Sequence, residues 1–424
     1  MAQVTISGRA NLDVGGYTAV GASGNNSLGV LSAAGTAGGG LGAGMTAAQL
    51  DAANRNVVRD ASSRIIFSVN EDLGRGSRAG MVCDTGVVLD TATAVGQDMR
   101  ANAGTQTWCS REGRVYYGND TVEVRLGRQN VFWTSGAADV TGANLVANSV
   151  SSTLYGQGTG LLGTRLANMI MLHGGKNLGA FAGSQIYFGN HEAGFGEASN
   201  NITAGNVGTG SQGTGTYNGF KLTYKIAPTW EAMVDYMSVQ NSTGAATAAS
   251  FNRTATKYQL GWKYAGGESI ASVQYWAKER VDTTAGNTFS LPSQISVGAN
   301  GAAAAAANIA NNTGSGKDSG YVFNINHDFG DGYIAVLQYG QAYNMQGVQT
   351  ANAAPTEIAN SGATAYTVGG VMRLSKRTHA YVAYNQISNG VNAQYMFSGG
   401  NYGSSIGANG QQITTTALGL QHWF

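Results

Sequence analysis

Residues with the chemistry for catalysis or metal binding are few in this sequence and lie far apart. The five histidines are His173, His191, His327, His379 and His422. None has another ligand at the short spacing that a metal site requires. The glycine-rich run 35–40 lacks the lysine and the following helix of a phosphate-binding loop. No Ser/His/Asp arrangement points to a nucleophile, although single Ser and Asp residues are abundant. We therefore expect no enzyme, no cofactor and no metal site.

Composition limits the kind of fold that carries these residues. The chain has 424 residues, of which 64 are Gly and 11% are charged. Soluble domains contain about a quarter charged residues, and each Gly inside a helix costs about 0.8–1 kcal/mol. The 42% of hydrophobic residues argue against disorder, and the formal net charge of +1 gives no reason to expect a nucleic-acid partner. Composition thus argues against helical, disordered and nucleic-acid-binding proteins.

Hydrophobic residues alternate with polar ones in many segments. No stretch approaches the roughly 18–20 apolar residues of a spanning helix. Period-2 alternation is instead typical of strands. The segment 414–424 shows it best, because it divides into two sets: Thr416, Leu418, Leu420, His422 and Phe424, against Thr415, Ala417, Gly419, Gln421 and Trp423. Strands with one lipid-facing and one lumen-facing set would cross a membrane at this average hydropathy.

The connections between these segments alternate in length. Seven short ones hold turn residues: 71–76, 118–120, 174–177, 226–229, 266–268, 328–332 and 375–378. Eight long ones are rich in Gly, Ala, Asn, Ser and Thr: 21–58, 85–107, 131–163, 191–213, 241–251, 282–316, 346–361 and 390–411. Together they predict a 16-stranded antiparallel transmembrane β-barrel over residues 1–424, all-β, with short turns at one rim and long loops at the other. A barrel of 16–18 strands encloses an aqueous channel.

A secreted β-solenoid or surface-layer protein is the alternative for such a composition. Solenoids carry a fixed repeat of about 20–50 residues or fewer. We find no fixed repeat, since the loop lengths vary from about 11 to about 38 residues. The barrel is therefore the favoured interpretation.

Four stretches can be compared, in their order along the chain, with a known family. They are VTISGR at 4–9, SSRI at 62–65 with EDLG at 71–74, TVEVRLGRQ at 121–129, and the terminal Phe424. They resemble the first strand, the second strand with its turn, the fifth strand and the C-terminal assembly residue of the general diffusion porins of the Gram-negative outer membrane, especially the beta-proteobacterial branch. The resemblance spans the whole chain.

The resemblance implies a location, an assembly and a loop path. It implies a homotrimer in the outer membrane, in contact with its lipid and lipopolysaccharide, that passes small hydrophilic solutes. It also implies that the third long loop, 131–163, folds into the barrel as the constriction loop. A signal peptide is absent from this chain, and we expect it to have been removed. The loop departs from the family in having neither Pro nor Glu, and its only acid is Asp139.

The family arrangement also implies a basic ladder on the barrel wall that faces acids on the inserted loop. Carried over, the wall positions fall on Arg9, Arg64, Arg128 and Arg165, with Arg111 as a further candidate. An interfacial or rim charge is the alternative for each arginine. Arg9 and Arg64 lie on the polar phase of their strands. Arg128 breaks parity within 121–129, so we expect the chain to leave the strand there.

These arginines predict an anion-preferring channel, because Asp139 alone faces them and a cationic throat concentrates anions. A substrate-specific anion channel on the same barrel and a non-transport surface β-protein are the competing functions. The first would show saturable flux, and the second would show no conductance.

Two further sets of residues carry expectations. Cys83 and Cys109 flank the second long loop on strands predicted to pair, and the periplasm is oxidising, so we predict a disulfide, with two unpaired thiols as the alternative. Amphipathic rings favour the headgroup level, which suggests a girdle, although ordinary strand packing fits each ring equally well. The girdle candidates are Trp133, Trp230, Trp262, Trp276, Trp423, Tyr117, Tyr264 and Tyr275.

Overall fold

The computed structural model of this chain describes residues 3–21, 55–60, 63–87, 89, 108–109, 111–131, 150–154, 165–192, 213–243, 251–263, 269–282, 316–347, 356–357, 359–391, 393, 395 and 410–424. Within these ranges the backbone forms nineteen strands. They are β1 (Gln3–Val20), β2 (Arg55–Asp60), β3 (Arg64–Gly74), β4 (Ser77–Gly86), β5 (Glu112–Gly118), β6 (Val122–Asn130), β7 (Arg165–Gly174), β8 (Gln185–Glu192), β9 (Gly213–Ala227), β10 (Trp230–Thr243), β11 (Phe251–Lys263), β12 (Ser269–Asp282), β13 (Gly316–Asp328), β14 (Tyr333–Ala342), β15 (Gln346–Gly347), β16 (Thr356–Glu357), β17 (Ala363–Arg373), β18 (Thr378–Asn389) and β19 (Gln412–Trp423).

Sixteen of these strands form one continuous antiparallel ring. Each pairs with the next main strand along the chain, and β1 pairs with both β3 and β19, so the pairing order returns to its start. The other three strands are extensions. β2 pairs with the part of β1 beyond its contact with β3, and the short β15 and β16 prolong the hairpin of β14 and β17. The predicted 16-stranded antiparallel barrel is confirmed.

The two faces of every strand differ in chemistry. On β19 the outward row includes Leu418 and Leu420, which are 66% and 52% exposed, whereas the inward row includes the buried Thr415 and Gln421. Among the described residues of the other strands, many large apolar side chains are exposed and many polar ones are buried, and the inward rows also bury apolar groups such as Met169 and Met237. A water-soluble sheet protein would show the opposite distribution.

The inward polar groups satisfy one another across strands. Asn385 connects two neighbours, because its amide donates to Thr415 Oγ1 at 3.0 Å and its Oδ1 accepts from Thr367 Oγ1 at 2.7 Å. Asn324 donates in the same way to Ser272 Oγ at 3.1 Å. Buried polar groups are stable when they are hydrogen-bonded, and these ladders hold the inner surface of the wall.

The connections follow the predicted order, but several of their bounds differ from the prediction. The first short connection is shorter than 71–76 because β3 continues to Gly74, and the second long connection extends past 107 because β5 begins at Glu112. The first long connection is shorter than predicted because β2 begins at Arg55, three residues before the predicted end. The third short connection runs to residue 184 because a 3-10 helix, Lys176–Phe181, follows β7. Among the described residues no helix is long and apolar enough to span a membrane.

Candidate functional site

One row of inward-facing positions crosses four strands near the start of β1. Arg9 on β1 lies opposite Trp423 on β19 and opposite Arg64 on β3. Arg64 lies in turn opposite Gly86 at the end of β4. The Arg111 side chain lies beside Gly86, because a Cβ at Gly86 would be 3.5 Å from Cδ of Arg111. We call Arg9, Arg64 and Arg111 the arginine row.

A carboxylate and an indole contact the arginine row. Asp84 Oδ2 lies 3.8 Å from Arg64 Nη1 and 3.4 Å from Arg111 Nε. The guanidinium carbons of Arg9 and Arg64 lie 5.4 and 6.0 Å from the centre of the Trp423 ring. The three cations repel one another. Two arginines share Asp84, and Asp60 and Glu112 also attract Arg9 and Arg64, respectively, so the row is a crowded group of cations with acids around it.

A second set of arginines on the same wall is matched by acids. Arg114 pairs with Glu112 on β5. Arg125 on β6 lies 2.6 Å from Glu123, which Arg78 of β4 also approaches at 3.3 Å. These pairs neutralise much of their own charge. The cations of this wall are therefore most crowded at the arginine row, where Arg9, Arg64 and Arg111 repel one another.

The opposite side of the ring receives a short helix from the third long connection. This helix, α1 (Val150–Leu154), lies against β13, β14 and β17, whereas the connection it belongs to joins β6 and β7. The Val150 amide donates to Gln338 Oε1 at 3.0 Å, and Gln338 is on the inward row of β14. A Cβ at Gly340 would lie 2.8 Å from Val150 Cγ1 and 3.0 Å from Leu154 Cδ1. Part of 131–163 therefore lies inside the barrel, against its far wall.

The other predicted throat residues have different outcomes. Arg128 lies within β6, which continues to Asn130, so the expectation that the chain leaves the strand there is wrong. A bulge at Gly127, with φ of 119°, lies beside it instead. Arg128 is opposite Gly113, on the row of outward-facing Leu126 and not on the row of Arg125. Its role in the throat, and that of Arg165, which begins β7, stay predictions. Asp139 lies outside the described residues.

The two cysteines of the chain are joined on the outer face of the barrel. The Cα atoms of Cys83 and Cys109 are 4.5 Å apart and their sulfurs form a disulfide. The Cys109 amide donates to Thr85 Oγ1 at 2.9 Å, and Trp108 packs edge-on against Phe67 with ring centres 5.9 Å apart. Since Phe67 and Cys83 share the outward row of Ile6, this clamp ties the second long connection to the outside.

The C-terminal dipeptide fastens the last strand to the first. Gly8 donates to the Phe424 carbonyl at 3.1 Å, and Phe424 donates to the Gly8 carbonyl at 3.2 Å. The Phe424 ring would lie 2.6 Å from a Cβ at Gly8, so this position must be glycine while the ring stays in place.

Trp423 and Trp276, two girdle candidates, lie on inward rows. The inward position of Trp423 could have been predicted from the sequence, because Trp423 belongs to the same alternating set as the polar Gln421.

At the turn-bearing rim a charged cluster joins two connections and the start of β4. Asp120, in the turn between β5 and β6, lies 2.7 Å from Lys176 Nζ and 3.0 Å from Arg78 Nη1. Hydrogen bonds from Lys176 and then Arg78 hold the pKa of Asp120 below its ordinary value of 3.8.

No group of three His, Cys, Asp or Glu side chains suited to a metal occurs among the described residues.

Solved structures similar to this chain are outer-membrane channels. An anion-selective porin from Comamonas acidovorans matches with a TM-score of 0.64 at 17% identity, covering 100% of both chains. OmpT, an outer membrane protein of Vibrio cholerae in a trimer form, matches with a TM-score of 0.55 at 8% identity, covering 100% of this chain and 99% of that one. The outer membrane channel DcaP of Acinetobacter baumannii matches with a TM-score of 0.54 at 12% identity, covering 100% and 97%. No protein-family model and no curated protein matches significantly. The chain has the fold of the outer-membrane porins.

Proposed function

We propose that this protein is an outer-membrane porin, a water-filled channel for passive diffusion of small hydrophilic solutes and ions, and that it prefers anions. The observation that carries the proposal is the arginine row on the inner wall of a sixteen-stranded barrel. Arg64 and Arg111 share Asp84, Arg9 adds a third cation that Asp60 attracts, and the three cations repel one another. Cations that outnumber acids at a throat attract anions and repel cations.

A water-filled interior is supported by the size of the barrel and by its lining. Sixteen strands are too many for their own side chains to fill the centre. The inward rows carry Asn, Gln, Thr and charged residues, and the outward rows carry exposed Leu, Val and Tyr. Such a pattern matches lipid outside and water inside. The α1 helix against the far wall narrows this interior on one side.

A homotrimer within the outer membrane is the proposed assembly. Lipid-facing surfaces carry Tyr and Trp at headgroup level, as the outward rows of β12 to β14 do with Tyr275, Tyr321 and Tyr339. The described outward rows of β1 and β19 carry neither residue, although Val14 and Leu418 on them are 58% and 66% exposed. An apolar sector without an aromatic belt fits contact with another copy better than contact with lipid. A structural neighbour exists in a trimer form.

Planar-bilayer recording in a KCl gradient tests the channel and its ion preference together. We expect discrete conductance steps and a reversal potential that indicates preference for Cl⁻ over K⁺. No conductance would favour a non-transport surface protein and would overturn the proposal. Block or saturable flux with one organic anion would instead favour a substrate-specific channel on the same barrel. Chemical cross-linking in outer-membrane vesicles tests the trimer separately.

A further inference from the structure

We infer that Trp423 is a positioning residue for ion selection, because its indole holds Arg9 and Arg64 in place at the arginine row. The inference rests on the proposed function and adds to it a residue that carries no charge. Trp423 was expected in the lipid-facing girdle, and its inward position therefore calls for a different role.

The Trp423 ring lies close to two cations, the guanidinium groups of Arg9 and Arg64. Arg9 is the direct cross-strand partner of both Trp423 and Arg64. Both guanidinium carbons lie within about 6 Å of the indole centre, at 5.4 and 6.0 Å, which is the range of cation–π attraction. The negative face of the ring thus contacts two like charges at once.

The backbone of Trp423 is itself fixed from two directions. Its amide donates to the Arg377 carbonyl at 2.8 Å, in the turn between β17 and β18. The next residue, Phe424, exchanges two hydrogen bonds with Gly8, one position before Arg9. The indole is therefore held at a constant height relative to the arginines. A flexible side chain at this position would not provide such a surface.

The indole and Asp84 counteract the repulsion between neighbouring arginines. Like charges placed directly opposite on neighbouring strands repel, and long arginine side chains can respond by turning away from each other. Asp84 restrains Arg64 and Arg111 from the β4 side, and the indole restrains Arg9 and Arg64 from the β19 side. Without the ring we expect the Arg9 and Arg64 guanidinium groups to move apart, which lowers the positive potential at the row.

The test uses the full chain, refolded and recorded in a planar bilayer with a KCl gradient. The variants are Trp423→Leu and Trp423→Gln, and the matched control is Trp230→Leu, because Trp230 is outward-facing and 42% exposed. We expect the Cl⁻/K⁺ permeability ratio to fall about threefold in both Trp423 variants, as loss of a cation–π contact implies, and to stay unchanged in the control. Conductance in molar KCl should change little, since the barrel and α1 are untouched.

A double-variant comparison separates positioning from a general structural effect. In an Arg9→Ser, Arg64→Ser background, Trp423→Leu should cause no further change in the permeability ratio, because the ring then has no cation to hold. An equal fall in that background would overturn the inference. The inference would also be overturned if Arg64→Ser lowers the Cl⁻/K⁺ permeability ratio and a Trp423 variant that assembles leaves this ratio unchanged. A native channel without anion preference, or one insensitive to Arg9 and Arg64, would overturn the proposed function instead.

Discussion

Two walls of this barrel, separated on one side by β18 and β19, differ in what they present to the interior. The wall of β1, β3, β4 and β5 carries the arginine row with Asp84. The wall of β13, β14 and β17 carries inward Gly340 and Val322 beside the uncharged polar Gln338, and α1 packs on it. The same alternation of strand residues produces both walls. If the proposed function holds, we expect the first wall to set the charge of the channel and the second, through α1, to set its width.

The largest expected effect comes from removing charge at the arginine row. Replacing Arg64 and Arg111 together by Ser should lower the Cl⁻/K⁺ permeability ratio about tenfold. One charge at 4 Å contributes about 1 kcal/mol in water and more in a narrow throat, and about 1.4 kcal/mol corresponds to a factor of ten. Reversal potentials in a low-salt KCl gradient measure the ratio, and the difference should shrink near 1 M salt, where the screening length is about 3 Å.

The matched control for the charge variants is Lys176→Ser. Lys176 is 75% exposed on the 3-10 helix at the rim, away from the arginine row. The Lys176→Ser substitution removes one cation and should leave the reversal potential unchanged. If this control shifted the potential as much as the Arg64→Ser, Arg111→Ser variant, rim charges and not the arginine row would set ion preference.

The second effect concerns the width of the channel. Gly340→Val should push α1 from its wall toward the lumen, because its Cβ alone would lie 2.8 Å from Val150 and 3.0 Å from Leu154. We expect single-channel conductance to fall by about half in this variant, since pore width sets the flux, with the permeability ratio little changed. Gly370→Ala is the control, because the nearest atoms to a Cβ there are 3.8 and 3.9 Å away. Equal conductance in both variants would contradict the assignment of α1 to the constriction.

The third effect is on stability and lies on the outer face. Replacing Cys83 and Cys109 by Ser should lower the thermal unfolding temperature and leave ion selectivity unchanged. The disulfide closes a loop with a sequence separation of 26, for which the stabilisation is about 3 kcal/mol at most. The pairing of β4 with β5 already restrains this loop, so a smaller value is expected. Unfolding temperatures with and without reductant measure the stabilisation by the disulfide. A shift of the reversal potential in the Cys83→Ser, Cys109→Ser variant would indicate that the clamp affects the lumen.

The smallest effect is a pH dependence at the rim. Because the folded-state pKa of Asp120 is lowered from 3.8, its stabilisation is present above the unfolded-state pKa and is lost as the pH falls through the folded-state pKa. Acid unfolding of the native protein should therefore include a component below about pH 4 that Asp120→Asn removes. Unfolding midpoints measured from pH 6 down to pH 2 test it. Identical pH profiles for the two proteins would show that the contacts with Lys176 and Arg78 contribute no stability.

Much of the fold could be predicted because its signals are local. Alternation within segments such as 414–424 and the contrast of long and short connections depend only on neighbouring residues, and they led to sixteen strands. Parity also placed Arg9 and Arg64 on inward rows. Cys83 and Cys109 could be paired because Cys83 lies on β4 and Cys109 lies three residues before β5, the strand that pairs with β4.

Parts of the candidate site depended on register and on packing across the barrel. Sequence parity left Arg128 ambiguous, and only the bulge at Gly127 and the pairing with Gly113 determine its row. Nothing in 131–163 identified Val150–Leu154 as the segment that reaches the far wall. Trp423 was assigned to the membrane interface because aromatic residues near strand ends are typical of a girdle.

By itself the sequence determined that this protein is an antiparallel barrel with a polar interior, because period-2 alternation and turn chemistry act within a few residues. Only the tertiary structure determined which charges meet. Arg9, Arg64 and Trp423 come from the beginning, the early part and the end of the chain, and Arg111 reaches Arg64 from beyond β4 through the shared Asp84. Such a site depends on closure of the ring and on strand register. A shift of register by one residue would turn every one of these side chains to the other face.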